Sequence, residues 1–121
     1  MILVDTSVWA EHIDREVGAL GALLEANRVL IHPYVIGELA MGNLRERHRW
    51  LSDLELLPQV ASASHWETMQ LIERHRLFGR GIGYIDANLL AATRISADTL
   101  LWTFDKRLEA AAMQLRMTYQ P

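Results

Sequence analysis

The chain has 121 residues, half of them hydrophobic and 22% charged, with a net charge of −3. This is the size and composition of one folded domain and excludes a disordered chain or a coiled-coil rod. It has no cysteine, which excludes disulfide scaffolds, thiolate zinc, iron–sulfur clusters and thiol nucleophiles. Ile2–Val4 is a short apolar run that stops at Asp5. Ser7–Ile13 and Glu16–Ala26 read as helices, the second with Leu20, Leu23 and Leu24 on one face. Val29–His32 is a second apolar run. Pro33 then fits the first turn of a helix to about Gly42, where the missing N–H costs nothing. Leu44–Glu55 has helical spacing, and Leu57–Ala61 reads as a third strand. Ser64 and Glu67 form a capping-box pattern for a helix from Trp66 to Phe78. Gly79-Arg-Gly-Ile-Gly83 breaks the chain, and Tyr84–Ile95 is a very apolar helix. Leu100–Phe104 is a strand, Lys106–Leu115 the last helix, and Arg116–Tyr119 a short final strand.

Strand alternating with helix predicts an α/β fold with a short, mostly parallel sheet covered by helices on both faces. In such sheets ligands bind beyond the carboxyl ends of the strands. Two runs end there in an acid, Asp5 and Asp105, and these acids meet if the strands are neighbours. No segment has 18 apolar residues, and the start lacks the basic region of a signal peptide, so a cytoplasmic protein without a membrane span is expected.

Eight of the fifteen acids have a local role: Glu67 is a cap, Asp98 sits in the turn before a strand, and six have a basic partner. Glu11–Arg15, Glu25–Arg28, Glu46–Arg49, Asp53–Arg49, Glu73–Arg76 and Glu109–Lys106 all lie at helix-pair spacing. Glu38 and Asp86 do not: their neighbours at helical spacing are apolar or uncharged. An ionised carboxylate on an apolar face is costly unless it is paired or metal-bound. Ordinary roles exist for each: Asp5 and Asp105 as helix N-caps, Asp86 in the favourable first turn, Glu38 as a polar edge. Four acids converging without a cation would repel, and a hard divalent cation resolves that conflict. Oxygen-only ligands select Mg²⁺ or Mn²⁺ over zinc, and no two of the five histidines are spaced as a helical metal pair. An aspartyl-phosphate site would need a second acid at Ser7, and no phosphate loop, dinucleotide fingerprint or serine-nucleophile elbow is present.

The blocks Asp5-Thr-Ser-Val-Trp9, His32-Pro-Tyr-Val-Ile-Gly-Glu-Leu-Ala-Met-Gly42, Gly83-Tyr-Ile-Asp-Ala-Asn-Leu-Leu-Ala-Ala92 and Leu101-Trp-Thr-Phe-Asp-Lys-Arg-Leu108 together resemble the PIN-domain ribonucleases. More narrowly, they resemble the VapC toxins of bacterial toxin–antitoxin pairs. The blocks occur in the family's order and span nearly the whole chain. The resemblance implies that Asp5, Glu38, Asp86 and Asp105 form a Mg²⁺-dependent nuclease site, with Ser7 and Thr103 supporting it by hydrogen bonds. Phe104 departs from the family, where many relatives carry a polar residue. The resemblance further implies a homodimer, an RNA substrate and inhibition by a small antitoxin protein.

The expected chemistry is phosphodiester hydrolysis by a metal-activated water, leaving 5′-phosphate and 3′-hydroxyl ends. Eleven of the twelve cations are Arg, whose fork suits phosphate. Arg76 and Arg80, with Arg74, lead into the glycine loop as candidate RNA contacts, and Arg45, Arg47 and Arg49 follow the Glu38 helix. Trp102 reads as core, whereas Trp50 and Leu51 are candidates for an antitoxin groove. Two other classes fit the residues alone: a metal-dependent DNA nuclease on the same fold, and a non-catalytic α/β binding module.

Overall fold

A computed structural model describes residues 1–121. The elements in order are β1 (Ile2–Val4), α1 (Thr6–Asp14), α2 (Gly18–Glu25), β2 (Val29–Leu30), α3 (Pro33–Met41), α4 (Arg47–Glu55), α5 (His65–His75), α6 (Tyr84–Ile95), β3 (Leu100–Trp102) and α7 (Lys106–Gln114). The three strands form a parallel sheet in the order β2-β1-β3. The α/β expectation holds: a central apolar strand, Ile2-Leu3-Val4, is buried on both faces, as a parallel strand between helical layers must be.

Two expected strands shrink to single bridges. Leu57–Ala61 contributes only Gln59, paired in parallel with Ile31, and Arg116–Tyr119 only Thr118, paired with Leu101. Both lie at the sheet's edges, each with one strand neighbour, and Pro58 lacks the N–H that a longer ladder needs. The last strand stops at Trp102 rather than Phe104, because Thr103 and Phe104 turn toward the helix that follows. The α4 helix begins at Arg47, not Leu44. Glu46 takes a left-handed φ of 49° just before it, so the hairpin after α3 is loop for three residues longer than the spacing implies.

Where the sequence carries a capping signal, the helix starts at it. Asp5 and Asp105 cap α1 and α7, Ser64 and Glu67 form the capping box of α5, and Pro33 occupies the first turn of α3. His32 caps α3 with Nδ1 accepting from the Tyr34 N–H at 2.9 Å. Burial disfavours its charged form and lowers its pKa. Every residue from Ala87 to Thr93 is buried, so α6 runs through the core, with β3 and α5 packed on it. Its one buried amide, Asn88, is satisfied by the Thr68 hydroxyl at 3.0 Å and the Tyr84 carbonyl at 2.9 Å. Trp9 and Trp102 are core, Trp50 is half-buried against His12, and Trp66 is exposed. Of the expected helix ion pairs only Glu46–Arg49 forms, at 3.4 Å; Arg15 turns to Asp14 at 3.8 Å instead of Glu11. The other pairs are on exposed surface, where side-chain entropy offsets so weak an attraction.

Candidate metal centre at the sheet edge

Parallel pairing of β1 with β3 places Val4 opposite Trp102, so both strands end on one edge. The Asp5 N–H continues the ladder by donating to the Trp102 carbonyl at 2.9 Å. The Asp5 carboxylate is thereby buried beside the chain that leaves β3. Its Oδ2 accepts from the Ser7 hydroxyl and the Thr103 hydroxyl, both at 2.7 Å. Ser7 Oγ in turn accepts from the Phe104 N–H at 3.0 Å, and Thr103 Oγ1 accepts from the Asp105 N–H at 3.0 Å. Ser7 and Thr103 thus tie the loop after β3 to the end of β1 through one carboxylate oxygen. Asp105 is then fixed by its own cap, with Oδ1 accepting from the Arg107 and Leu108 N–H groups at 2.9 and 3.2 Å.

The other two acids come from helices. Glu38 is in the middle of α3, and its Oε1 accepts from the Thr6 hydroxyl at 2.6 Å. Thr6 went unremarked in the sequence; the signal available was the oxygen-bearing run Asp5-Thr6-Ser7 at a strand end. Asp86 is in the first turn of α6, where its Oδ2 accepts from the Gly83 N–H at 3.1 Å. Burial pushes the Asp86 carboxyl above its ordinary pKa, and the charges of Asp5, Asp105 and Glu38 push it further, against the lowering effect of the Gly83 N–H. All four acids therefore act on one neighbourhood.

The structural roles of these acids leave a ligand role open, because each carboxylate divides its oxygens. One oxygen takes protein donors: Oδ2 of Asp5, Oε1 of Glu38, Oδ2 of Asp86, Oδ1 of Asp105. The other accepts no hydrogen bond from the protein. No Arg, Lys or His lies within ion-pair distance of any of the four. Held by separate local donors, the carboxylates stand apart: no three acids or histidines close on a common point at ligand distance. A set of oxygen donors, uncompensated in charge and each with a free lone-pair face, is chemically suited to a hard divalent cation and unsuited to zinc's nitrogen and sulfur preference.

Of the proposed RNA contacts, Arg76 closes α5 in a left-handed conformation (φ 51°) with its side chain exposed. Arg80 reaches across to the Gln114 amide oxygen on α7. On either side of Arg80, Gly79 and Gly81 take φ values of 69° and 78°, which only glycine adopts freely. Arg47 is spent on the Ala40 carbonyl and Arg49 on Glu46, so the cluster after α3 is partly committed to structure. Phe104 is half exposed and packs edge-on against Trp102.

A parallel sheet between helical layers is the fold that the family comparison matches. A model of the PIN domain covers residues 2–113, and the chain belongs to the PIN-domain family. Within that family it is of the VapC type: it is 45% identical over 114 residues to Ribonuclease VapC32 of Mycobacterium tuberculosis strain CDC 1551 / Oshkosh, covering 94% of this chain and 92% of that one. The protein of the same name from strain ATCC 25618 / H37Rv matches with the same identity and coverage. No helix is long and apolar enough to cross a membrane.

Proposed function

We propose that this protein is a Mg²⁺-dependent endoribonuclease, the toxic half of a toxin–antitoxin pair. It acts in the cytoplasm as a homodimer and is held in check by a small cognate antitoxin protein. The carrying observation is the edge cluster: Asp5, Glu38, Asp86 and Asp105 with no compensating cation, in a chain 45% identical to a named ribonuclease. A scaffold that merely capped its helices would not need Glu38, which caps nothing.

In this reading the residues divide the work. Asp5 and Asp86 are the central ligands, and Glu38 and Asp105 complete the set. Ser7 and Thr103 hold Asp5 by Oδ2 and so present Oδ1 to the cation. Thr6 does the same for Glu38, and the Gly83 N–H for Asp86. What Mg²⁺, or Mn²⁺ in its place, supplies when bound is activation of the attacking water and charge relief at phosphorus. Arg76 and the Gln114-anchored Arg80 border the loop before Asp86 and meet phosphates of the RNA.

Purified protein should cleave RNA in Mg²⁺ and stop in EDTA, leaving 5′-phosphate and 3′-hydroxyl ends. Asp5→Asn, folded by circular dichroism, should lose at least about a hundredfold in rate. Full activity of that variant, or activity undiminished by EDTA, overturns the mechanism. Cleavage of DNA but not RNA transfers the same site to the other polymer.

A further inference from the structure

Away from the acid cluster, the seam between α5 and α6 opens into a cavity of about 170 Å³ lined by Glu67, Gln70, Arg74, His75, Arg94 and the apolar Leu71, Ala91 and Ile95. Its charges are unbalanced. Neither Arg74 nor Arg94 makes an ion pair. The one acid on the wall, Glu67, is turned to the Ser64 N–H at 2.8 Å as half of the α5 capping box. His75 lines the same cavity, and its Nε2 is buried and has no hydrogen-bond partner. Its backbone carbonyl is held by the Gln114 amide at 3.2 Å, which fixes this end of α5. Burial and the charges of Arg94 and Arg74 all lower the His75 pKa, so the ring is neutral near pH 7 and free to offer an N–H.

We propose that this cavity binds one phosphate of the RNA strand, with Arg74 and Arg94 as paired forks and Gln70 and His75 as further donors. The assignment rests on the proposed ribonuclease function. Two unpaired guanidinium groups and an unsatisfied ring nitrogen around one small concavity suit a compact, doubly accepting oxyanion. The cavity is too small for a folded partner's side-chain cluster and the right scale for a single anionic group. The strand is favoured over a free anion by position. Arg94 and Asp86 lie on the same helix, eight residues apart, which is about 12 Å along its axis. Arg94 is also turned about 80° around the axis from Asp86, so a strand that reaches both must wrap part of the way round the helix; bound so, it has its register relative to the scissile bond fixed by the cavity, which does not touch the reacting atoms. Both Arg side chains are exposed and make no ion pair, so the domain should stay folded when they are replaced.

The test uses the full chain carrying Asp5→Asn, which keeps the RNA uncut, with and without Arg74→Gln and Arg94→Gln together. Binding of a labelled single-stranded RNA is measured over a salt series, and melting temperature is followed as the folding control. The double variant should bind at least about tenfold more weakly at low salt, and its plot of log affinity against log salt should be shallower by about 0.7, the loss of one phosphate contact. Inorganic phosphate at constant ionic strength should shift the His75 ring resonances in the parent and not in the double variant. An unchanged salt slope overturns the assignment while leaving the ribonuclease reading in place. Failure of the parent itself to bind RNA overturns both. A phosphate shift with unaltered RNA binding makes this a free-anion site, and weakened antitoxin binding with unaltered RNA binding makes it a protein-docking site; either result overturns the assignment to RNA.

Discussion

At the scale of single residues, the site is a problem in holding like charges still. Each acid gives one oxygen to a donor within its own or a neighbouring element and keeps the other free. Thr6 is the one side-chain donor that supports its acid alone, because Glu38 has no other hydrogen bond. Thr6→Val, which keeps the shape and removes the hydroxyl, should weaken Mn²⁺ binding measured by calorimetry by about ten- to a hundredfold. Thr6→Ser should restore most of it. Equal affinity in all three proteins would show that Glu38 needs no support. Ser7 and Thr103 have a second task, since their oxygens also accept the N–H groups of Phe104 and Asp105. Their loss therefore disturbs the loop as well as Asp5, which makes Thr6 the cleaner probe.

At the scale of elements, a helix cap can keep one oxygen free for the ligand role proposed for it. Asp105 caps α7 with Oδ1 and leaves Oδ2 to the edge of the sheet. The two roles separate by substitution. Asp105→Ala removes both and should cost about 1 kcal/mol, near 4 °C in melting temperature, along with cleavage. Asp105→Asn keeps a side-chain oxygen for the cap, so it should melt within about 1 °C of the parent while still losing cleavage. Equal melting losses in the two variants would show that charge, not the hydrogen bond, holds the start of α7. The elements themselves were largely legible in the sequence. Ser64-x-x-Glu67, Pro33 and the strand-end aspartates act over three or four residues, and the helices they start appear where those patterns put them. The expected ion pairs at i+3 and i+4 did not follow, because an exposed pair gains too little to order two long side chains.

At the scale of the whole molecule, the acids set the stability against pH. Asp86 has its pKa raised by folding, so the native state holds that proton more tightly than the unfolded chain. Stability then falls as pH rises through the window above the ordinary value of 3.8, and the full cost is present above the raised pKa. His32 and His75, with lowered pKa values, tilt stability the opposite way below 6.5, and comparison of two variants at each pH removes their common contribution. Asp86→Asn keeps an oxygen for the Gly83 N–H and removes the charge. In EDTA it should melt above the parent at neutral pH, with the difference shrinking as pH falls toward 3.8. A lower melting temperature at neutral pH would mean that the carboxylate stabilises the fold rather than straining it. The net charge of −3 is thus local: apart from the four edge acids, eleven acids face twelve cations.

The sequence by itself determined the parallel α/β class, the starts of the capped helices and the choice of four candidate acids, because apolar runs, caps and breaks act through neighbours along the chain. Only the tertiary structure decided that β1 and β3 are adjacent, that Thr6 holds Glu38, and that the two outermost strands are single bridges. It alone decided, too, that Arg74, His75 and Arg94 share one cavity. Those facts depend on contacts between residues as far as 98 positions apart, as in the bond from Thr103 to Asp5. Local propensity carries no information about such partners; the packing of the helices around one buried strand does.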